Sequence, residues 1–166
     1  NSTLSAPTVT TSVSNTNVTG TLGSNDFAIR FNPQQTYEWI ATTGTASWTD
    51  PLSWNPSRFS PQANDVLLFN QGGTSTANGI PTEIVAQILF SNNTNTTFEP
   101  VGTNTLSLNG ATLTNNMVVA SGSTLTLENG LTFNYVTTAS QRGSITGTLN
   151  VNTGSTYNTS SIATTI

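Results

Sequence analysis

Three tryptophans stand in one short segment, at 39, 48 and 54. Indole faces stack on pyranose rings, so Trp48 and Trp54, if exposed, would make a carbohydrate-binding platform; buried, Trp39, Trp48 and Trp54 would plug the open end of a β fold and cover its apolar interior. Asp50 and Asp65 lie in the same segment. Two carboxylates raise a calcium site, but the other possible ligands are Asn and backbone carbonyls, and no Asp-x-Asp-x-Asp-Gly spacing is present. Turn positions suit both as acceptors of backbone N–H groups. The reading is therefore a structural cap of Trp39, Trp48, Trp54 and Asp65, with no metal and no cofactor.

Glu38, Glu83, Glu99 and Glu128 raise acid–base chemistry on a polysaccharide, which needs carboxylates close together, often beside Arg or Lys. Glu83, Glu99 and Glu128 are 16 and 29 residues apart, and Arg142 is the one basic residue in that half. No catalytic residue is expected. Outward Thr-x-Thr pairs recur at Thr112-x-Thr114, Thr124-x-Thr126 and Thr146-x-Thr148, with Thr105-x-Ser107 before them. Stacked Thr rows on a flat solenoid face order water, as in ice-binding β-solenoids. The irregular spacing argues against that use, and Thr is in any case a favoured solvent-facing strand residue.

Composition narrows the classes. The 166 residues include three Arg, no Lys, no His and no Cys, and the net charge is −4. Disulfides, thiol nucleophiles, zinc–cysteine sites, imidazole bases and Schiff-base lysines are excluded. Three Arg make no basic face for nucleic acid. Thr, Asn and Ser supply 34, 21 and 19 residues, a β-rich composition of extracellular character. No apolar run is long enough to span a membrane. The abrupt start at Asn1 and end at Ile166 suggest a segment of a longer secreted protein, with repeats continuing past Ile166.

The elements that would position these residues are strands. Phe27–Phe31 alternates large apolar residues, and residues 1–34 read as a linker or the end of an upstream β module. Residues 35–80 form the Trp-rich capping segment, with a strand at 65–70. From 81 to 166 come short strands punctuated by Asn and Gly, at 84–90, 105–109, 111–114, 117–120, 124–128, 131–133 and 146–151. Leu106/Leu108 and Leu125/Leu127 are spaced by 19, and Leu149/Val151 follows 24 further on. A recurring, drifting interval suggests solenoid coils with Leu106, Leu125 and Leu149 stacked in one interior column and Asn at left-handed corners. The fold class expected is all-β, a right-handed parallel β-helix; the alternative, from the Asn109-Gly110 and Asn129-Gly130 hairpin signals, is an antiparallel β-sandwich.

Tyr37-Glu38-Trp39, Gly44-Thr45-Ala46-Ser47-Trp48-Thr49-Asp50, Trp54-Asn55-Pro56, Pro61 and Asn64-Asp65-Val66-Leu67-Leu68-Phe69 resemble a motif of large secreted surface proteins of Bacteroidetes. Related strings open the β-helical passenger regions of autotransporter-like adhesins. The likeness extends over about residues 37–150. It implies a right-handed parallel β-helix module, exported (often by the type IX route) and displayed or released at the cell surface. The main reading of function is a non-enzymatic structural and adhesive module of a large secreted bacterial cell-surface protein. Its partners would be surface glycans or another cell-surface protein, with the secretion machinery in transit. The second function considered is a carbohydrate-binding module using exposed Trp side chains.

Overall fold

Alternation of apolar and small polar residues, with Gly and Asn between, produces short strands and tight corners throughout. The computed structural model describes residues 34–109, 115–137 and 142–161; the strands expected at 27–31 and 111–114 lie outside them. The first strands are β1 (Thr36–Trp39), β2 (Thr43–Ser47), β3 (Trp54–Asn55), β4 (Val66–Phe69) and β5 (Thr74–Ile80). Next come β6 (Glu83–Val85), β7 (Gln87–Phe90), β8 (Asn95–Pro100), β9 (Thr105–Leu108) and β10 (Asn115–Val119). The last are β11 (Thr124–Leu127), β12 (Thr132–Thr137), β13 (Arg142–Ile145), β14 (Thr148–Val151) and β15 (Thr156–Ser161). A 3₁₀ turn at Pro51–Ser53 precedes β3, and no α-helix occurs among the described residues.

The strands form three sheets. Sheet I runs β3-β1-β4-β7-β10-β13, sheet II runs β2-β5-β8-β11-β14, and sheet III runs β6-β9-β12-β15. From β4 onward the chain visits the three sheets in rotation, and each strand pairs in parallel with the one three places later. Only β1 with β3 is antiparallel among the described strands. The fold is thus all-β with parallel sheets, compatible with the expected β-solenoid. The antiparallel sandwich fails at the ladders, because strands joined by tight corners here lie in different sheets. The strands of 66–80 join the same ladders as those after 81, so the boundary expected at 80 is crossed by pairing.

Parallel register stacks like positions into inward columns. On sheet I, Leu67, Ile88 and Met117 follow one another, as do Phe69, Phe90 and Val119; all six are fully buried. On sheet II, Ala77, Phe98 and Leu127 are aligned and buried. Leu125 does stack on Leu149. Leu106, however, stands on sheet III between Glu83 and Phe133, so the expected single column of Leu106, Leu125 and Leu149 is corrected. The interval of 19 separates strands on two neighbouring sheets, whereas 24 is a full rotation through all three. The run 84–90, expected as one strand, is two. Ala86 and Gln87 both donate backbone N–H to the Asp65 carbonyl, at 2.8 and 3.3 Å, and the chain changes sheet there.

Corners are built from residues that accept left-handed backbone. Asn92, Asn93 and Asn129 have φ of 55, 56 and 56°, as expected for Asn at these positions. Gly147 is required for a different reason: a Cβ there would strike the carbonyls of Ala120 and Ser123. Side chains also tie successive corners together, with Asn104 donating to the Ile80 carbonyl at 2.9 Å and Asn92 to that of Asn70 at 2.9 Å.

Phe98 touches both the tryptophan cluster and the column below it, with ring centroids 5.3 Å from Trp48 and 5.9 Å from Phe90. Phe98→Ala is expected to lower unfolding free energy by about 3–5 kcal/mol, read from the urea midpoint at unchanged slope.

Candidate functional site

Small residues on sheet II make room for large ones from sheet I. Ala46 on β2 and Ser75 and Ala77 on β5 are small inward residues, and the space beside them holds Trp39, Trp48 and Trp54. Trp39 and Trp54 are register partners on β1 and β3, with centroids 5.0 Å apart and planes at 70°. Trp48, just past β2, meets Trp54 edge-on at 5.1 Å. All three lie over Phe69, which itself stacks on Phe90 at 4.5 Å with planes 2° apart. Edge-to-face and offset contacts of this kind add to the area that the rings bury.

Each indole N–H has an acceptor. Trp39 Nε1 donates to Ser75 Oγ at 3.2 Å, Trp54 Nε1 to the Trp48 carbonyl at 2.9 Å, and Trp48 Nε1 to Glu83 Oε1 at 3.0 Å. Exposures of 1–2% leave no ring face open to solvent. The sugar platform expected as the alternative role of Trp48 and Trp54 is therefore corrected. Stacking needs a free face, and here the faces are covered by one another and by Phe69 and Phe98.

A charged triad sits against the rings. Arg58 Nε donates to Asp65 Oδ2 at 3.0 Å and Arg58 Nη1 to Glu83 Oε1 at 3.1 Å; the three side chains are 1%, 0% and 12% exposed. The guanidinium carbon lies 5.6 Å from the Trp54 ring centroid, 5.8 Å from that of Tyr37 and 6.0 Å from that of Trp48. A planar, delocalised cation is suited to such burial, since it pairs with carboxylates in its plane and meets rings at its face. Asp65 Oδ2 also accepts the Gln62 backbone N–H at 2.9 Å, and Asp50 Oδ1 accepts that of Leu52 at 2.9 Å. Both aspartates thus take the turn-acceptor roles expected of them. The triad fastens the loop of 56–64 onto the first strands.

Glu83 is an inward residue. It heads the sheet III column that continues with Leu106, Phe133 and Tyr157. Burial pushes its carboxyl above the ordinary value of 4.5, and Asp65 adds to the rise; Arg58 and the Trp48 N–H oppose it without cancelling it. The Tyr37 hydroxyl is raised as well, first by desolvation and then by Asp65, with Arg58 opposing.

The structure brings Trp39, Trp48, Trp54 and Asp65 into one cluster. Arg58, Glu83 and Tyr37 complete it and were not singled out as members from sequence. The available signal was Arg58 itself, a lone cation in the Trp-rich segment of a chain with three basic residues. The remaining carboxylates are apart from it. Glu38 is on sheet I, and Glu99 is on sheet II. Glu128 follows β11, where it accepts from Asn152 Nδ2 at 2.8 Å. Among the described residues no three acidic side chains gather as a metal site. Chemically, the arrangement can hold a loop in place and keep three indoles dry.

Comparison with protein-family models, with curated proteins and with solved structures found no match to this chain.

Two outcomes are expected. Arg58→Ala leaves two carboxylates facing each other in a buried site and should cost about 3–5 kcal/mol, measured by chemical denaturation. Glu83→Gln should remove a pH dependence. Because the folded-state value is raised, the protonated form favours the fold; that contribution is full below pH 4.5 and fades as pH rises through the folded-state value. The wild-type chain should therefore gain stability relative to Glu83→Gln as pH falls from 7 to about 4, and parallel urea titrations check it.

Proposed function

We propose that the chain is a right-handed parallel β-helix, closed at its first strands by the Trp39–Trp48–Trp54 plug and the Arg58 triad. In this reading it serves as a non-enzymatic structural and adhesive module of a large secreted bacterial cell-surface protein. The coil reading is supported by ladder order, with strands from β4 to β12 each pairing with the one three places later, and its hand by the strong preference of parallel crossovers. The resemblance of residues 37–70 to type IX-exported Bacteroidetes proteins supports the location.

One observation carries the functional reading: the side chains best equipped for chemistry are consumed by packing. The tryptophans, Arg58 and Asp65 are buried together, with Glu83 bound to them, while the outward strand positions carry mainly Thr, Ser and Asn. An uncharged hydroxyl and amide surface suits weak contacts repeated many times, with surface glycans or another surface protein as partner. Stacked parallel ladders give the stiffness such a module needs.

Antibody to the chain should label intact cells of the organism that encodes it, and mild protease treatment of those cells should release the epitope. Beads carrying many copies should be retained on such cells while the single chain washes off. Labelling seen only after lysis would refute the surface reading, and equal retention of beads with and without the chain would refute adhesion.

A further inference from the structure

The outward side of sheet II carries a lattice that intervals along the chain conceal. Ladder register aligns Thr43, Thr74, Asn95, Thr124 and Thr148 in one row, and Thr45, Thr76, Thr97, Thr126 and Asn150 in the next. Between the rows Ser75, Thr96 and Leu125 are buried, and none of the ten row positions is. The one register shift recorded between β5 and β8 falls between Asn78 and Ile80, outside both rows. Irregular spacing in sequence thus resolves into a regular mesh, because extra residues are taken up at corners.

Its dimensions follow from sheet geometry. Neighbouring strands are about 4.8 Å apart, and side chains two residues apart on one strand are about 6.6 Å apart. Eight of the ten nodes are Thr and the other two are Asn, so the mesh itself holds no charge and no aromatic ring; Glu99, aligned with Asn78, stands at its edge. Each Thr presents a methyl and a hydroxyl from a stiff, β-branched side chain. Asn150 Nδ2 donates to Thr126 Oγ1 at 3.3 Å; among the described residues the hydroxyls of Thr45, Thr76 and Thr97 have no protein partner, which leaves them to water.

We propose that this face binds ice. A fixed net of hydroxyls, on the scale of the oxygen repeats of crystalline water, holds its bound water in positions a growing ice surface can adopt. Methyl groups between them keep that water from being drawn into tight hydration shells, as charged groups would draw it. Many weak contacts made at once by a rigid face cost little ordering. A flat polysaccharide is a poorer fit, because sugar rings are gripped by aromatic faces and this mesh has none. The proposal rests on the sheet II ladders, not on cellular location, so either reading stands or falls without the other.

The test uses the whole 166-residue chain. Labelled protein should partition into a slowly grown ice shell and inhibit recrystallisation of a frozen sucrose film. Thr97→Tyr places a bulky ring at the centre of the mesh and should raise the inhibitory concentration by about ten-fold or more. Asn134→Tyr, at an outward position of sheet III, should leave it unchanged. Should Thr97→Tyr not fold, judged by loss of buried-indole emission, Thr45→Tyr on β2 makes the same test. Exclusion of the wild-type chain from ice, equal effects of the two tyrosine variants, or binding to cellulose or chitin with exclusion from ice would each overturn the proposal.

Discussion

Register along the parallel ladders is the constraint on which the rest of this chain depends. A side chain's surroundings are set by the residue aligned with it one sheet visit earlier and one later, not by its sequence neighbours. Phe69 meets Phe90 because β4 and β7 pair without a slip, and a slip by one residue would turn every inward ring out to solvent. The same alignment that builds the core also sorts the outward Thr and Asn into rows. Interior and surface are two consequences of one hydrogen-bond pattern.

At the first strands this pattern meets a problem that it cannot solve alone, since among the described residues no strand continues the inward columns there. Small residues on β2 and β5 and three indoles from the neighbouring segment fill that space jointly. Glu83 occupies an inward position that would otherwise call for an apolar side chain. Arg58 makes it tolerable by bridging Glu83 to Asp65 beneath three aromatic rings. A buried ion pair is rarely a large net source of stability; here its effect is to fix where the unpaired stretch between β3 and β4 must lie.

Much of this was readable from residue order, and the failures have physical causes. β9 and β11 announce themselves as Leu-x-Leu, and the structure keeps both, with Leu106, Leu108, Leu125 and Leu127 inward. β2 and β5 do not announce themselves, because the inward residues along most of their length are small ones such as Ala46, Ser75 and Ala77 and leave no apolar period to detect. The sheet change at Ala86 is hidden inside the mostly apolar run 84–90, with no Gly or Pro to mark it. Arg58 and Glu83 are 25 residues apart, and nothing local ties a loop cation to a distant strand. Of the Thr-x-Thr pairs legible in sequence only Thr124/Thr126 lies intact in the sheet II rows; Thr105 and Ser107 stand on sheet III, and 112–114 lie outside the described residues.

Corner length has a consequence of its own. Thr96 follows Ser75 in its column after 21 residues, Leu125 follows Thr96 after 29, and Leu149 follows Leu125 after 24, yet the rows stay aligned. Register is therefore decoupled from contour length: additional peptide between strands leaves the alignment of the rows as it was. A polypeptide of this kind offers evolution two independent dials, conserved planes for what is held in common and expandable vertices for what must differ. It offers a protein engineer sites for grafting foreign loops on the same terms.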